Sequence, residues 1–275
     1  MFKINITAQL KKMKIKNLNF KNFAVAILAI IFASCSSSEN TADNTPTPTQ
    51  YILPRKISSG SKVTIINYNG NKLTESSNSP TKKNVTTYTG DFITRQESFL
   101  NGVSDRVESF TYENGKLKTF YKKEISNVSE YTTTYTHNAT DITFIEKAKD
   151  VNTNIETTSN TGQIFITNGN ITKTISTRIN GTATYVSTTT FEYDSKNNAT
   201  INILGFNLFI NDQQLCSKNN YTKITTLAES TLNGIIQPSD TYITTVSLAY
   251  NPNNYVIERE SFRGGLSDGK TTYEY

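Results

Sequence analysis

The chain has no tryptophan, one histidine and two cysteines in 275 residues. A single histidine, His137, excludes zinc sites built on paired histidines, and neither HExxH nor a paired-cysteine motif is present. No GxGxxG or phosphate loop occurs, which removes the usual nucleotide-binding signatures. Cys35 lies in the leader discussed below, so Cys216 is the only thiol of the exported chain and no intramolecular disulfide is available. Without a base of suitable type beside it, Cys216 is expected to pack as a small residue. No catalytic residue, metal ligand or cofactor is expected. Turn clusters such as Asp194–Asn198 and Leu266–Gly269 match no calcium-loop pattern. The absence of tryptophan also weakens any reading of the aromatic residues as a sugar platform. Among enzymes, only a carboxylate pair of the glycoside-hydrolase kind stays open, because the 23 acids allow many spatial pairs.

Helical signals are also scarce, except near the N-terminus. Phe23–Ala33, FAVAILAIIFA, is an apolar run of eleven residues preceded by five lysines between Lys11 and Lys21. A bilayer span takes about 20 residues, so this run suits the core of a signal peptide, with Met1 or Met13 as its start. Phe32–Cys35, FASC, resembles a bacterial lipobox, with Phe32 where leucine is usual. That resemblance implies cleavage before Cys35 and acylation there, a palmitate-class anchor. Ser36–Gln50 is a Ser/Thr/Asn/Pro tract without apolar periodicity and reads as a disordered tether. The expected organisation is therefore a leader at 1–35, a tether at 36–50 and a folded part at 51–275. The leader holds six of the 28 basic residues and no acid, which leaves 28 − 6 = 22 positive against 23 negative charges. Nothing in that balance asks for a nucleic-acid partner.

Beyond Gln50 the composition turns to Thr, Ile, Val, Tyr and Phe, the set that suits half-buried pleated surfaces. Period-two alternation places Phe110 and Tyr112 on one face of a strand, and Ile171, Ile175 and Ile179 on one face of another. Asn-Gly begins at positions 69, 101, 114, 168, 180 and 233, using six of the thirteen glycines. Between alternating runs that pair is the strongest short hairpin signal.

The hairpins are copies of one unit. Tyrosine precedes one kind of turn at Tyr68, Tyr88, Tyr112, Tyr193 and Tyr250, and Tyr273 closes the last half-unit. A second kind of turn is carried by ESFLNGVSD at Glu97 and ESFRGGLSD at Glu260, which agree at six of nine positions across 163 residues. Tyrosine spacings of 20, 24 and 23 residues supply two strands and two turns per unit. The fold class expected is all-β: a single antiparallel β-meander of hairpin repeats of roughly 20–25 residues, with about ten to fourteen strands. Its sheet is expected to be elongated or curved, a half-barrel at most. Each repeat tyrosine is read as structural, capping the apolar layer and turning its hydroxyl to water. Residues 204–224 break the rhythm. Phe206, Phe209 and Cys216 are the candidate ligand-binding residues there, with a capping insert as the alternative role.

The tyrosine-turn pattern, best kept in Tyr112–Leu117, resembles the YD repeats of Rhs-type proteins, and the whole layout resembles Bacteroidota outer-membrane lipoproteins of unassigned function. The resemblance implies a monomeric, lipid-anchored envelope protein at the outer membrane, with a non-enzymatic binding or structural role. Its partners would be the membrane, through the N-terminal lipid, and a glycan, lipid or protein. Carriage of a greasy ligand on a concave apolar face is the second reading, and a glycan-active hydrolase the third.

Overall fold

The computed structural model describes residues 51–275; the expected leader with Cys35 and the tether at 36–50 lie outside them. The described chain is a run of antiparallel strands. The first six are β1 (Lys56–Ser59), β2 (Lys62–Asn69), β3 (Lys72–Ser79), β4 (Lys82–Thr89), β5 (Phe92–Leu100) and β6 (Val103–Glu113). The next six are β7 (Lys116–Glu124), β8 (Ser129–His137), β9 (Ile142–Asp150), β10 (Glu156–Thr167), β11 (Asn170–Asn180) and β12 (Ala183–Asn197). The last five are β13 (Asn219–Leu232), the two-residue β14 (Ile235–Ile236), β15 (Asp240–Tyr250), β16 (Val256–Arg263) and β17 (Leu266–Glu274).

Each strand pairs with the next except that β14 and β15 both pair with β13 and share one stave, so 17 − 1 = 16 staves form the wall. Closure comes from β1, where Ile57 faces Thr64 of β2 on one side and Tyr273 of β17 on the other. The meander is therefore a complete barrel. The expected elongated sheet or half-barrel is corrected by this pairing of the two chain ends, which satisfies both edges that an open sheet leaves exposed.

Two turn chemistries build the hairpins. At Asn101, Asn114, Asn168 and Asn233, and at the Gly that follows each, φ is positive, as a type I′ turn requires. At the other two Asn-Gly pairs only the glycine has positive φ, at +61° for Gly70 and +58° for Gly181. There the turn is shifted by one residue and glycine takes the first central position, as in type II′.

The repeated tyrosines mark a bulge. The register shifts next to Tyr68, Tyr88, Tyr112, Tyr193 and Tyr250 in their respective ladders. A bulge adds a residue to one strand, bends it and increases its twist, and five of them at one end supply curvature for closure. The extra residue sits on the partner strand, so alternation in its own strand aims each tyrosine inward, and its hydroxyl does not turn to water as expected. Tyr68 donates to Pro54 O at 2.8 Å, Tyr112 to Ile93 O at 2.8 Å and Tyr193 to Ile171 O at 2.7 Å. Tyr88 donates to Leu204 O and accepts from the Leu73 N–H, both at 3.1 Å. In the last unit Tyr275 takes this role, donating to Val256 O at 2.7 Å, while Tyr273 is buried inside the barrel. A further bulge, at Thr172, reverses the parity of β11. It puts Ile171 in the core and turns Ile175 and Ile179 outward, contrary to the uniform alternation expected there.

Between β12 and β13, residues 198–218 leave the wall and fill the tyrosine-turn end of the barrel. Asn219–Ile224 of the expected insert belong to β13. The segment contains a single 3-10 turn, Phe206–Leu208, and a one-turn helix, α1 (Gln213–Cys216). Asp212 caps α1, accepting from the Gln214 and Leu215 N–H groups. Ile203, Phe206, Phe209, Ile210 and Cys216 join inward residues of ten strands, from Ile66 to Phe191, in one core. Phe209 lies 4.7 Å from Phe110 and 5.3 Å from Phe206 between ring centroids. A smaller cluster of Ala199, Val256 and Tyr273, with Ile57, Leu248 and Tyr250 against it, closes the remaining arc.

The outer wall is polar. One ladder of register partners crosses nine strands as Asn67, Glu75, Val85, Glu97, Val107, Lys123, Glu130, Lys149 and Glu156. Ion pairs lie along it, among them Lys83–Glu75 at 3.0 Å and Lys149–Glu130 at 3.6 Å. Each such exposed pair stabilises by only about 0–1 kcal/mol.

Candidate functional site: a one-ended lumen

Alternation decides what faces the lumen. In the half of the barrel that holds the insert, the inward positions are apolar. In the opposite half the inward set comprises hydroxyls, amides and charges. The insert forms the floor of this cup, through Asn198, Thr200, Gln213, Gln214 and Leu215. The turns at the far end are short and do not cover it.

A cavity of about 640 Å³ opens against β11, β12 and β13. Ser176, Arg178, Tyr185, Ser187, Ala228 and Ser230 line it. Cross-strand register places Arg178, Tyr185 and Ser230 side by side, and Ser176, Ser187 and Ala228 in the next row. Two smaller recesses reach down to the floor. One of about 270 Å³ lies between Thr133, Glu146 and Asn160 on the wall and Gln213 on the insert. The other, of about 240 Å³, lies beneath Arg106 and Glu108.

Its electrostatics are those of paired charges. On β6 and β7, Arg106 faces Glu124 and Glu108 faces Lys122 across the ladder, with Arg106 3.5 Å from Glu108 and Lys122 3.0 Å from Glu124. Burial raises the Glu108 carboxyl above its usual range, against the pull of Arg106 and Lys122. A hydrogen bond from Lys122 holds Glu124 below that range. Nearer the floor, the Arg259 guanidinium lies 3.9 Å from the centroid of the Tyr221 ring, and burial lowers its pKa. Hydroxyl and amide rows are tied together, as in Ser176 Oγ donating to Asn160 at 2.8 Å and Gln96 donating to Thr86 at 3.4 Å. Such an array can meet a ligand rich in hydrogen-bonding groups.

Phe206, Phe209 and Cys216 come together, but within the packed interior of the insert, at 6%, 2% and 6% exposure. They hold the floor in place, and Phe206 also lines the recess beneath Arg106 and Glu108. Burial pushes the Cys216 thiol up to about 12, away from the thiolate that nucleophilic chemistry needs. His137 shares its ladder with buried Ile142, and its Nε2–H donates to Leu117 O at 2.8 Å. Asp194 accepts from Tyr250 Oη and from the Asn220 and Lys196 N–H groups, so it fastens the insert's exit to the wall. Among the described residues no group of three metal-ligating side chains converges. The lumen residues Arg106, Glu108, Arg178 and Ser187 had no sequence signal. In that half of the barrel the inward residues are polar and their outward neighbours include Val107, Ile179 and Val186, so the rule that apolar residues face inward points to the wrong face.

No protein-family profile matches the chain, and no curated protein matches it. Solved structures align with it. A porin-like protein from Bacteroides vulgatus aligns with a TM-score of 0.58 at 14% identity, over 82% of this chain and 99% of that one. A porin-like protein from Bacteroides uniformis aligns with a TM-score of 0.43 at 12% identity, over 83% and 99%. The first alignment shows a common barrel fold.

Proposed function

We propose that the chain is a non-enzymatic binding module of the outer membrane, anchored by lipid at Cys35, whose receptor site is the polar half of the lumen. The observation that carries this reading is the floor. Residues 198–218 fill one end of the barrel, which makes the lumen a blind cup and not a path for solutes. Likeness to a porin-like protein of Bacteroides vulgatus is consistent with an outer-membrane setting, and the lipobox resemblance supplies the anchor. Serines, amides, Arg178 and Tyr185 around the cavity of about 640 Å³ suit a short glycan or another polyhydroxylated ligand. Carriage of an acyl chain is less well supported, because Ile203, Phe206 and Phe209 cover much of the apolar inner face and leave beside them a recess of about 240 Å³.

The test is a thermal-shift and calorimetric screen of soluble oligosaccharides against fatty acids, followed by Ser187→Trp and Arg178→Ala. A saccharide hit weakened about tenfold or more by either substitution is expected, since removing a charged hydrogen-bond donor costs about 1.5–3 kcal/mol. Binding of acyl chains alone, or saccharide binding indifferent to both substitutions, would discard the lumen as the receptor.

A further inference from the structure

Barrels that sit in a bilayer present an outward apolar band about 25 Å tall between two aromatic girdles. This barrel has neither. Because staves tilt against the barrel axis, a ladder of register partners climbs the wall as it crosses the staves, and it must traverse any such band. The ladder from Asn67 to Glu156 meets acids or lysines at six of its nine positions. The ladder one row nearer the tyrosine turns runs Thr87, Arg95, Ser109, Tyr121, Thr132, Lys147 and Thr158. On the other side of the barrel, mid-strand Glu192 pairs with Lys223 at 2.9 Å, and Glu258 with Lys270 at 2.8 Å. Large apolar side chains exposed along the staves, such as Ile65, Ile145 and Ile243, stand among threonines and charges and form no belt.

We infer that the whole outer wall of the barrel stands in water, so that a fold shared with a porin-like protein is used here as a soluble body and not as a transmembrane one. The inference does not depend on what the lumen binds. It implies that attachment to the membrane rests on residues before Tyr51, the segment that carries Cys35. The polar wall, the polar upper lumen and the apolar floor then form a consistent set, in which the only large apolar interior is the one the insert fills.

The experiment places single cysteines at Thr87, Thr134 and Thr245, exposed outward positions in the middle of β4, β8 and β15, in the full-length chain isolated with its native membrane. Buried Cys216 is the internal reference for an unreactive thiol. Full modification of all three by a membrane-impermeant maleimide is expected, with no quenching of an attached fluorophore by lipids brominated along their acyl chains. Protection from the maleimide together with bromolipid quenching would overturn the inference. As a second measurement that needs no substitution, proteolysis within 36–50 is expected to release the barrel into the aqueous phase of a detergent partition. Retention of the cleaved barrel in the detergent phase would overturn it equally, whatever the lumen binds.

Discussion

A tyrosine hydroxyl that ends on a backbone carbonyl does two things that a phenylalanine cannot. It satisfies its own oxygen inside the barrel, and it satisfies a carbonyl that the bulge has taken out of the ladder. Ile93 is fully buried and its carbonyl accepts from Tyr112. Tyr112→Phe is therefore expected to cost about 1–3 kcal/mol, the range for leaving a buried acceptor without a partner, seen as a lower urea midpoint. Tyr121 faces outward and donates to Glu130 at 2.8 Å, so Tyr121→Phe is expected to cost less than Tyr112→Phe. The same burial has a pH signature. It pushes the Tyr88 and Tyr193 phenols up to about 12, against about 10 in an unfolded chain. Below pH 10 both states keep the proton and stability is unaffected. Between about 10 and 12 the unfolded chain binds fewer protons than the native one, so stability falls as pH rises. Urea midpoints measured across that interval should drop once pH exceeds 10, and a flat profile would contradict the buried hydroxyls. The spacing of the copied tyrosines was legible in the sequence. Their partners were not, because a carbonyl 19 residues away has no side-chain signature in the sequence.

At the scale of the element, the bulge and the insert explain where strand patterns can be trusted. Alternation holds through Phe110 and Tyr112, because the extra residue beside Tyr112 sits on the partner strand. It fails from Ile171 to Ile175, because the extra residue, Thr172, lies in the same strand and reverses its faces. Asn-Gly pairs located the hairpins for a local reason, positive φ, which the sequence displays directly. The insert was legible as an interruption of the repeat, whereas its role depended on a cylinder for it to fill. Phe209, 2% exposed and stacked between Phe110 and Phe206, is its central anchor. Phe209→Ala is expected to cost about 3–5 kcal/mol, and proteolysis within 198–218 should quicken before global unfolding. Gly162 is a second test of packing. A Cβ there would stand 2.0 Å from Ile175 O and 2.6 Å from the Phe144 ring, which covers it. Gly162→Ala should therefore destabilise by about 1–3 kcal/mol through forced shifts of β11 and Phe144, measurable as an earlier thermal transition.

At the scale of the whole molecule, the decisive contact joins residues that are farthest apart in sequence. Lys56 bonds Glu274 at 2.7 Å, and the Arg55 N–H donates to Glu274 O at 2.6 Å. A repeat period specifies how each unit meets its neighbour but not whether the last meets the first. An open sheet and a closed barrel share nearly the same local sequence, and the difference is the sum of small bends at many bulges. Closure is also what protects the fold, since it leaves no free strand edge in a wall rich in threonine and isoleucine. Deletion of Thr271–Tyr275 removes the residues of β17 that pair with β1, and with them the hydroxyl that Tyr275 places on Val256. It leaves the insert and the aromatic stack of Phe110, Phe206 and Phe209 in the chain. The expected result is a folded core with two exposed edges, which self-associates through them. Light scattering coupled to size exclusion should then show larger species than the intact chain gives, with near-native β-sheet circular dichroism. A truncated chain that gives no larger species and has unchanged stability would show that the β1–β17 seam contributes nothing, and the barrel would have to be held by its floor alone.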